Sequence, residues 1–271
     1  MNHQIGFIGG GNMAQAIIAG LLNSGRSSSD ILVSDPNPAC QSALSAMGIP
    51  CFEQSDPVIA QADLIVLAVK PQTMKTVLAQ LAPNLKVTQI IISIAAGITI
   101  GSIRKQLDDT PNAIVRVMPN TPALIGQGMS ALTSDAPLDD TTKNTVQKIF
   151  NACGQALWVG SEEAMDVVTA VSGSGPAYFF LMIENLISTG VRLGLTPEIA
   201  RELVIQTAKG AAGMAEVSDV GPDILRKRVT SPGGTTEAAL AVFNDGDFAD
   251  IVDHALVAAR DRASELSRDV P

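Results

Sequence analysis

Positive charge is scarce in this chain of 271 residues, which sets 18 Lys and Arg against 27 Asp and Glu for a net charge of -9. A surface of that sign does not neutralise phosphate backbones, which argues against nucleic acid as a partner. Cysteine is rare as well. Cys40, Cys51 and Cys153 are odd in number and lack metal-ligand spacing, which points to reduced thiols, no bound metal and a cytoplasmic setting. The two histidines, His3 and His254, fall outside every motif below and are expected on the solvated surface. No cationic leader is seen where Met-Asn-His-Gln runs directly into a strand pattern. The uncharged run 167–183 is expected to be interrupted by Ser172-Gly173-Ser174-Gly175-Pro176 and so to fall short of a membrane span.

What the chain has instead is glycine at a strand end. Ile5-Gly6-Phe7-Ile8 reads as a short buried strand. Gly9-Gly10-Gly11-Asn12-Met13-Ala14 then spells G-x-G-x-x-A ahead of a helical pattern of Ile17, Ile18, Leu21 and Leu22. In a dinucleotide fold Gly9 makes the tight turn, Gly11 lets a pyrophosphate approach the backbone, and Ala14 lets the helix pack closely on the strand. A second strand, Ile31-Leu32-Val33-Ser34, ends at Asp35, near the distance of about 20 residues at which an acid accepts a ribose 2′-hydroxyl. A glycine-rich connection with no ligand is the alternative.

Strand-like runs at 64–69, 89–94 and 113–118 alternate with helical patterns, predicting a mostly parallel, doubly wound sheet with helices on both faces. Runs at 131–134 and 156–159, with a helix over 142–152 between them, close this α/β Rossmann-like domain, expected over 1–160. From 161 to 271 the pattern is all-α, with breaks at 172–176, 194–197, 221–222 and 231–234. In its last helix Phe248, Ile251, Val252, Ala255, Leu256, Ala259, Ala263 and Leu266 form one apolar stripe. The run 177–183 is apolar all round. A helical domain of about 110 residues hardly encloses such a helix alone, so burial against a second subunit competes with a tight monomer core.

The stretch Thr230-Ser231-Pro232-Gly233-Gly234-Thr235-Thr236-Glu237 places paired glycines and hydroxyls before another helical pattern, Ala238, Leu240 and Ala241. Unpaired N–H groups at a helix start favour anions, so the stretch is either a seat for the carboxylate of a small acid or an ordinary N-cap.

These segments together resemble the pyrroline-5-carboxylate reductases. The resemblance runs nearly end to end, through Gly6 to Ala14, Ala68-Val69-Lys70-Pro71-Gln72, Ser93-Ile94-Ala95-Ala96-Gly97, Met118-Pro119-Asn120-Thr121-Pro122-Ala123, Val171-Ser172-Gly173-Ser174-Gly175-Pro176-Ala177-Tyr178 and Ser231-Pro232-Gly233-Gly234-Thr235-Thr236. It implies reduction of 1-pyrroline-5-carboxylate, a cyclic imino acid, to L-proline by hydride from NADPH or NADH, the last step of proline biosynthesis. It implies a helical substrate-binding domain that dimerises, with dimers often gathering into larger rings. It also implies that Gly9, Gly10, Gly11, Asn12, Met13, Ala14, Ala68, Val69, Lys70, Pro71, Ala95, Ala96, Gly97 and Asn120 line the cofactor cleft. The substrate carboxylate would rest on Ser231 and the Gly234, Thr235 and Thr236 backbone, with the Thr236 hydroxyl near the ring nitrogen. Glu162 and Asp219 match acidic positions close to the substrate.

A protonated iminium is far more electrophilic than the neutral imine and can arrive carrying its proton, so no strong acid is required of the protein. What remains is holding the imine carbon against the nicotinamide and excluding water. Lys70 is expected to contact cofactor phosphate or backbone, or simply to end its strand. For the cofactor, the residues alone favour NADH: no Lys or Arg lies between Arg26 and Lys70, and a carboxylate at Asp35 repels a 2′-phosphate. The resemblance leaves NADPH open, with Ser34 and Ser55 as hydroxyls for its phosphate. A β-hydroxyacid dehydrogenase would share the domain order but needs a base, and 177–187 offers only Glu184 and Asn185. A nucleotide-sensing scaffold would keep the glycine turn without needing the hydroxyl-glycine seat.

Overall fold

The computed structural model describes residues 3–269. Its sheet grows from short runs too apolar to face water: β1 (Ile5–Ile8), β2 (Ile31–Ser34) and β4 (Leu64–Leu67) are buried at every position. A two-residue β3 (Cys51–Phe52), β5 (Ile90–Ser93), β6 (Ile114–Met118), β7 (Gly128–Ser134) and β8 (Gly154–Trp158) complete eight strands in the order β3-β2-β1-β4-β5-β6-β7-β8. All neighbouring pairs are parallel except β6 with β7.

Side chains that alternate along each strand feed two cores. Phe7, Leu64 and Val66 pack with Ile17, Ile18 and Leu21 of α1 (Asn12–Asn23), Leu44 of α2 (Pro38–Ala46) and Ile149 and Phe150 of α6 (Asp140–Asn151). Ile8, Ile65 and Leu67 pack with Val58 and Ile59 of α3 (Asp56–Gln61), Met74 and Leu78 of α4 (Pro71–Leu81) and Ile103 of α5 (Ile100–Gln106). Helices therefore cover both faces, as a parallel sheet demands.

The helical half begins with α7 (Ala164–Val168), a π-helical turn (Thr169–Gly173) and α8 (Gly175–Arg192). The interruption expected at Ser172 to Pro176 is not a break. Ser174 N–H donates to the Thr169 carbonyl at 2.8 Å, so the chain widens by one residue and continues helically, and the Ser172 carbonyl, for which Pro176 has no N–H, accepts from Asn120 Nδ2 instead. The helical segment Ala164–Arg192 is consequently long and apolar enough to cross a membrane by length and composition. The remaining helices are α9 (Pro197–Val217), α10 (Pro222–Arg228), α11 (Thr235–Asp245) and α12 (Phe248–Asp269); the first three start at the glycine and proline breaks anticipated, whereas the break at Gly246-Asp247 between α11 and α12 was not.

Two compact units result. One takes the residues up to Ser174 together with those from Ala259 onward; the other is Gly175–Ala258. The division falls later than residue 160, because side chains of 161–174 are tied to the sheet: Glu162 pairs with Arg116, and Ser172 accepts from Asn120.

Candidate active site

The strand order reverses at β1, so the carboxyl ends of β1 and β4 open a crevice of the kind that holds dinucleotides in open α/β sheets. Gly9 sits at its base with φ +102°, and a Cβ there would meet the Ala68 carbonyl oxygen at 2.6 Å. Only glycine fits. Gly11, the N-cap of α1, has ordinary extended angles, no side-chain cap and open space where its Cβ would be. Unpaired N–H groups at the first turn of α1 with free approach over Gly11 fit a pyrophosphate. Asn12 is exposed at that turn, Met13 is half-buried, and Ala14 is buried at 1 % exposure, so Ala14 serves by close packing.

Asp35, just past β2, is held by the same turn: Gly10 N–H donates to its Oδ2 at 2.7 Å and Asn37 N–H to its Oδ1 at 2.8 Å. Each carboxylate oxygen keeps a second lone pair, so a ribose hydroxyl can add as a further donor. Ser34 is buried and its carbonyl accepts from Gly9 N–H, which leaves half-buried Ser55, ahead of α3, as the hydroxyl nearer solvent at this edge. Cys40 and Cys51 lie by Asp35, and burial together with that negative charge raises both thiols; burial raises Cys153. All three are free.

Ala68, Val69 and Lys70 follow β4, and Pro71 opens α4. Lys70 is exposed as the N-cap of that helix, its carbonyl taken by Thr73. After β5, Ala95 is buried, Ala96 exposed, and Gly97 has φ +75°. A Cβ on Gly97 would lie 3.5 Å from Leu266 of α12, so this loop adjoins the C-terminal helix. The Asn120 carbonyl accepts from Ala123 N–H within its own turn, but its side chain reaches elsewhere. Its Nδ2 donates to the Ser172 carbonyl at 3.1 Å and its Oδ1 accepts from Met129 N–H at 2.8 Å, stitching β6 to β7 and to the π-helical turn.

Glu162, expected beside the substrate, has other partners. Its Oε1 accepts from Arg116 of β6 at 2.9 Å and from the Ile100 N–H of α5 at 2.8 Å. Arg116 was not anticipated, although a lone charge inside the apolar strand Ile114–Met118 demands a partner. Asp219 lies exposed in the α9–α10 connection.

In the second unit the Ser231 to Thr236 turn forms the start of α11. Gly234 is its N-cap, extended and with no side-chain cap. Gly234 N–H is not free for a ligand, since it donates to the Ser231 carbonyl at 3.0 Å and closes the turn. Gly233, at φ +70°, donates its N–H to Glu237 Oε2 at 2.6 Å. The donors left at the first turn of α11 are the N–H groups of Thr235, Thr236 and Glu237, the first two leading, with the Ser231 hydroxyl three residues before the N-cap.

Comparison with known proteins adds an independent line. A family model described as pyrroline-5-carboxylate reductase dimerisation matches residues 162–266, and one described as NADP oxidoreductase coenzyme F420-dependent matches residues 4–97. A pyrroline-5-carboxylate reductase of Pseudomonas aeruginosa is 46 % identical over 268 residues, covering 98 % of both chains. Among solved structures, a pyrroline-5-carboxylate reductase from Coxiella burnetii superposes with a TM-score of 0.93 at 39 % identity, covering 98 % of this chain and 99 % of that one. The Plasmodium falciparum pyrroline carboxylate reductase with NADP bound reaches 0.86 at 33 % identity, covering 98 % of each chain.

Proposed function

The chain belongs to the pyrroline-5-carboxylate reductase family and reduces 1-pyrroline-5-carboxylate to L-proline with NAD(P)H, and from that premise we propose how its residues divide the work. The nicotinamide supplies the hydride when bound. Gly9, Gly10 and Gly11 with the start of α1 receive the pyrophosphate; Asp35 receives the adenosine ribose; Ala68 to Pro71 and Ala95 to Gly97 wall the crevice. Asn120 holds the β6 end of that wall through Ser172 and Met129.

The substrate's charged end is assigned to the Thr235 and Thr236 N–H groups and the Ser231 hydroxyl, with Asp219 nearby in the chain. The observation that carries this is the uncapped start of α11, whose two leading donors lack an intrahelical acceptor. Charge-assisted bonds there fix the acid without a mobile side chain, and the helix dipole adds to them. The Thr236 hydroxyl orients the ring nitrogen. A threonine hydroxyl is too weak an acid to supply the proton, so Thr236→Ala slows turnover without abolishing it; complete loss contradicts the orienting role.

Asp35 makes NADH the preferred donor, because a 2′-phosphate there meets a carboxylate in a stretch, from Arg26 to Lys70, that has no Lys or Arg between those two. kcat/KM for the two cofactors in wild type and Asp35→Ser tests this, and a strong wild-type preference for NADPH refutes it. α8 carries no lysine, which disfavours alcohol oxidation by an ammonium-derived base. The protein is a homo-oligomer built on the helical domain; a dimer or a larger ring of dimers, working in the cytoplasm on a cyclic imino acid, completes the reading. The direct test is NAD(P)H oxidation with a panel of cyclic imines, in which 1-pyrroline-5-carboxylate should be the best substrate.

A further inference from the structure

Arg116 stands in the middle of β6 with only 5 % of its side chain exposed, and Glu162 Oε1 is 2.9 Å from it. That same oxygen accepts the Ile100 N–H at 2.8 Å, the first N–H of α5. One carboxylate oxygen thus joins a buried cation in the sheet to the helix that follows the β5–α5 loop, a loop that contains Ala95, Ala96 and Gly97. Thr99, the N-cap of α5, satisfies Ser102 N–H at 3.0 Å, so the helix start has two fixed points. A charged group bonded to both a buried guanidinium and a backbone donor has little freedom to turn toward a ligand, because each partner would be left unpaired.

We propose that Glu162 is a positioning residue for the nicotinamide cofactor and not a ligand of the imino acid: braced by Arg116, it holds the start of α5 and thereby sets where the Ala95 to Gly97 loop meets the dinucleotide. The loop has a second neighbour in Leu266 of α12, 3.5 Å from where a Gly97 Cβ would stand. Without Glu162, the α5 start keeps its local Thr99 cap but loses its tie to Arg116 of the sheet, while the Gly97 end keeps its contact, so the loop shifts and does not unfold. The inference rests on the proposed cofactor role of that loop.

The test is direct NADH binding by fluorescence titration, alongside kinetics in which each substrate is varied with the other saturating. Glu162→Ala should raise the NADH Kd by about 10-fold, as a small misplacement of a positioning group does, with the KM for 1-pyrroline-5-carboxylate within about twofold of wild type. Glu162→Gln retains an acceptor oxygen for Ile100 and should restore most of the affinity. If the alanine variant fails to fold, Glu162→Asp, which keeps the charge but shortens its reach, should show the same rise in Kd at smaller size. A raised imino-acid KM with unchanged NADH Kd would make Glu162 a substrate ligand and overturn the proposal, as would Glu162→Ala or Glu162→Asp binding NADH like wild type. Failure of the crevice reading itself would appear separately, as normal NADH binding in a Gly11→Ala enzyme.

Discussion

Gly9 and Gly11 are two residues apart and answer to different constraints. Gly9 combines a left-handed backbone with a carbonyl where its side chain would be, so Gly9→Ala should cost about 1–3 kcal/mol and lower the urea midpoint. Gly11 adopts φ -69°, ψ -178°, which alanine tolerates, and nothing in the protein meets its Cβ. Gly11→Ala should leave stability within about 0.5 kcal/mol of wild type. Its methyl group occupies the approach to the helix start, so the NADH Kd should rise about 10-fold, equivalent to about 1.4 kcal/mol. Equal stability losses in the two variants would contradict the division of roles. Asp35 shows the same economy, since the carboxylate assigned to a ribose already fastens Gly10 and Asn37.

Elements with long, one-sided patterns were legible from the chain: the strand–glycine–helix start, the parallel strands and the breaks near Gly194, Gly221 and Ser231 all follow from local chemistry. β3 escaped notice because two residues cannot establish a period. The π-helical turn escaped because a Ser-Gly-Pro run reads as a stop, while its continuation depends on Asn120 reaching Ser172 from 52 residues away. Glu162 and Gly234 were placed by family pattern, and only coordinates reveal that Arg116 and the Ser231 carbonyl engage them. Helix caps give a pH prediction. The Thr142 N–H at 2.7 Å, and then its hydroxyl, hold the Asp139 carboxyl below the usual carboxylate range at the start of α6. A depressed folded-state value means the stabilisation is present above the unfolded-state value and is lost as pH falls through the folded one. Asp139→Ala should therefore lower Tm at neutral pH, and the gap from wild type should close in strong acid. A gap that persists there would refute the ionised cap.

At the scale of the whole molecule, the isolated chain leaves Phe179 72 %, Phe180 63 %, Leu181 60 % and Ile251 59 % exposed. An apolar surface of this kind on α8 and α12 belongs against another subunit, in keeping with the dimerisation family match. It also explains how Ala164–Arg192 can satisfy the length and composition of a membrane span: a helix made for an intersubunit core reads the same way. Burying each such side chain contributes about 1.5–3 kcal/mol. Phe180→Asp should accordingly shift the sedimentation mass toward the monomer and depress activity, and an unchanged mass would place Phe180 outside the interface.

The account as a whole depends on the second unit holding its substrate by a carboxylate. The most direct measurement compares kcat/KM for 1-pyrroline-5-carboxylate and for 1-pyrroline, the same ring without the acid, at saturating NADH. Two charge-assisted hydrogen bonds imply a preference of at least about 100-fold for the acid, shrinking in Ser231→Ala. Equal reduction of both imines by the wild-type enzyme would contradict the anion seat at the start of α11.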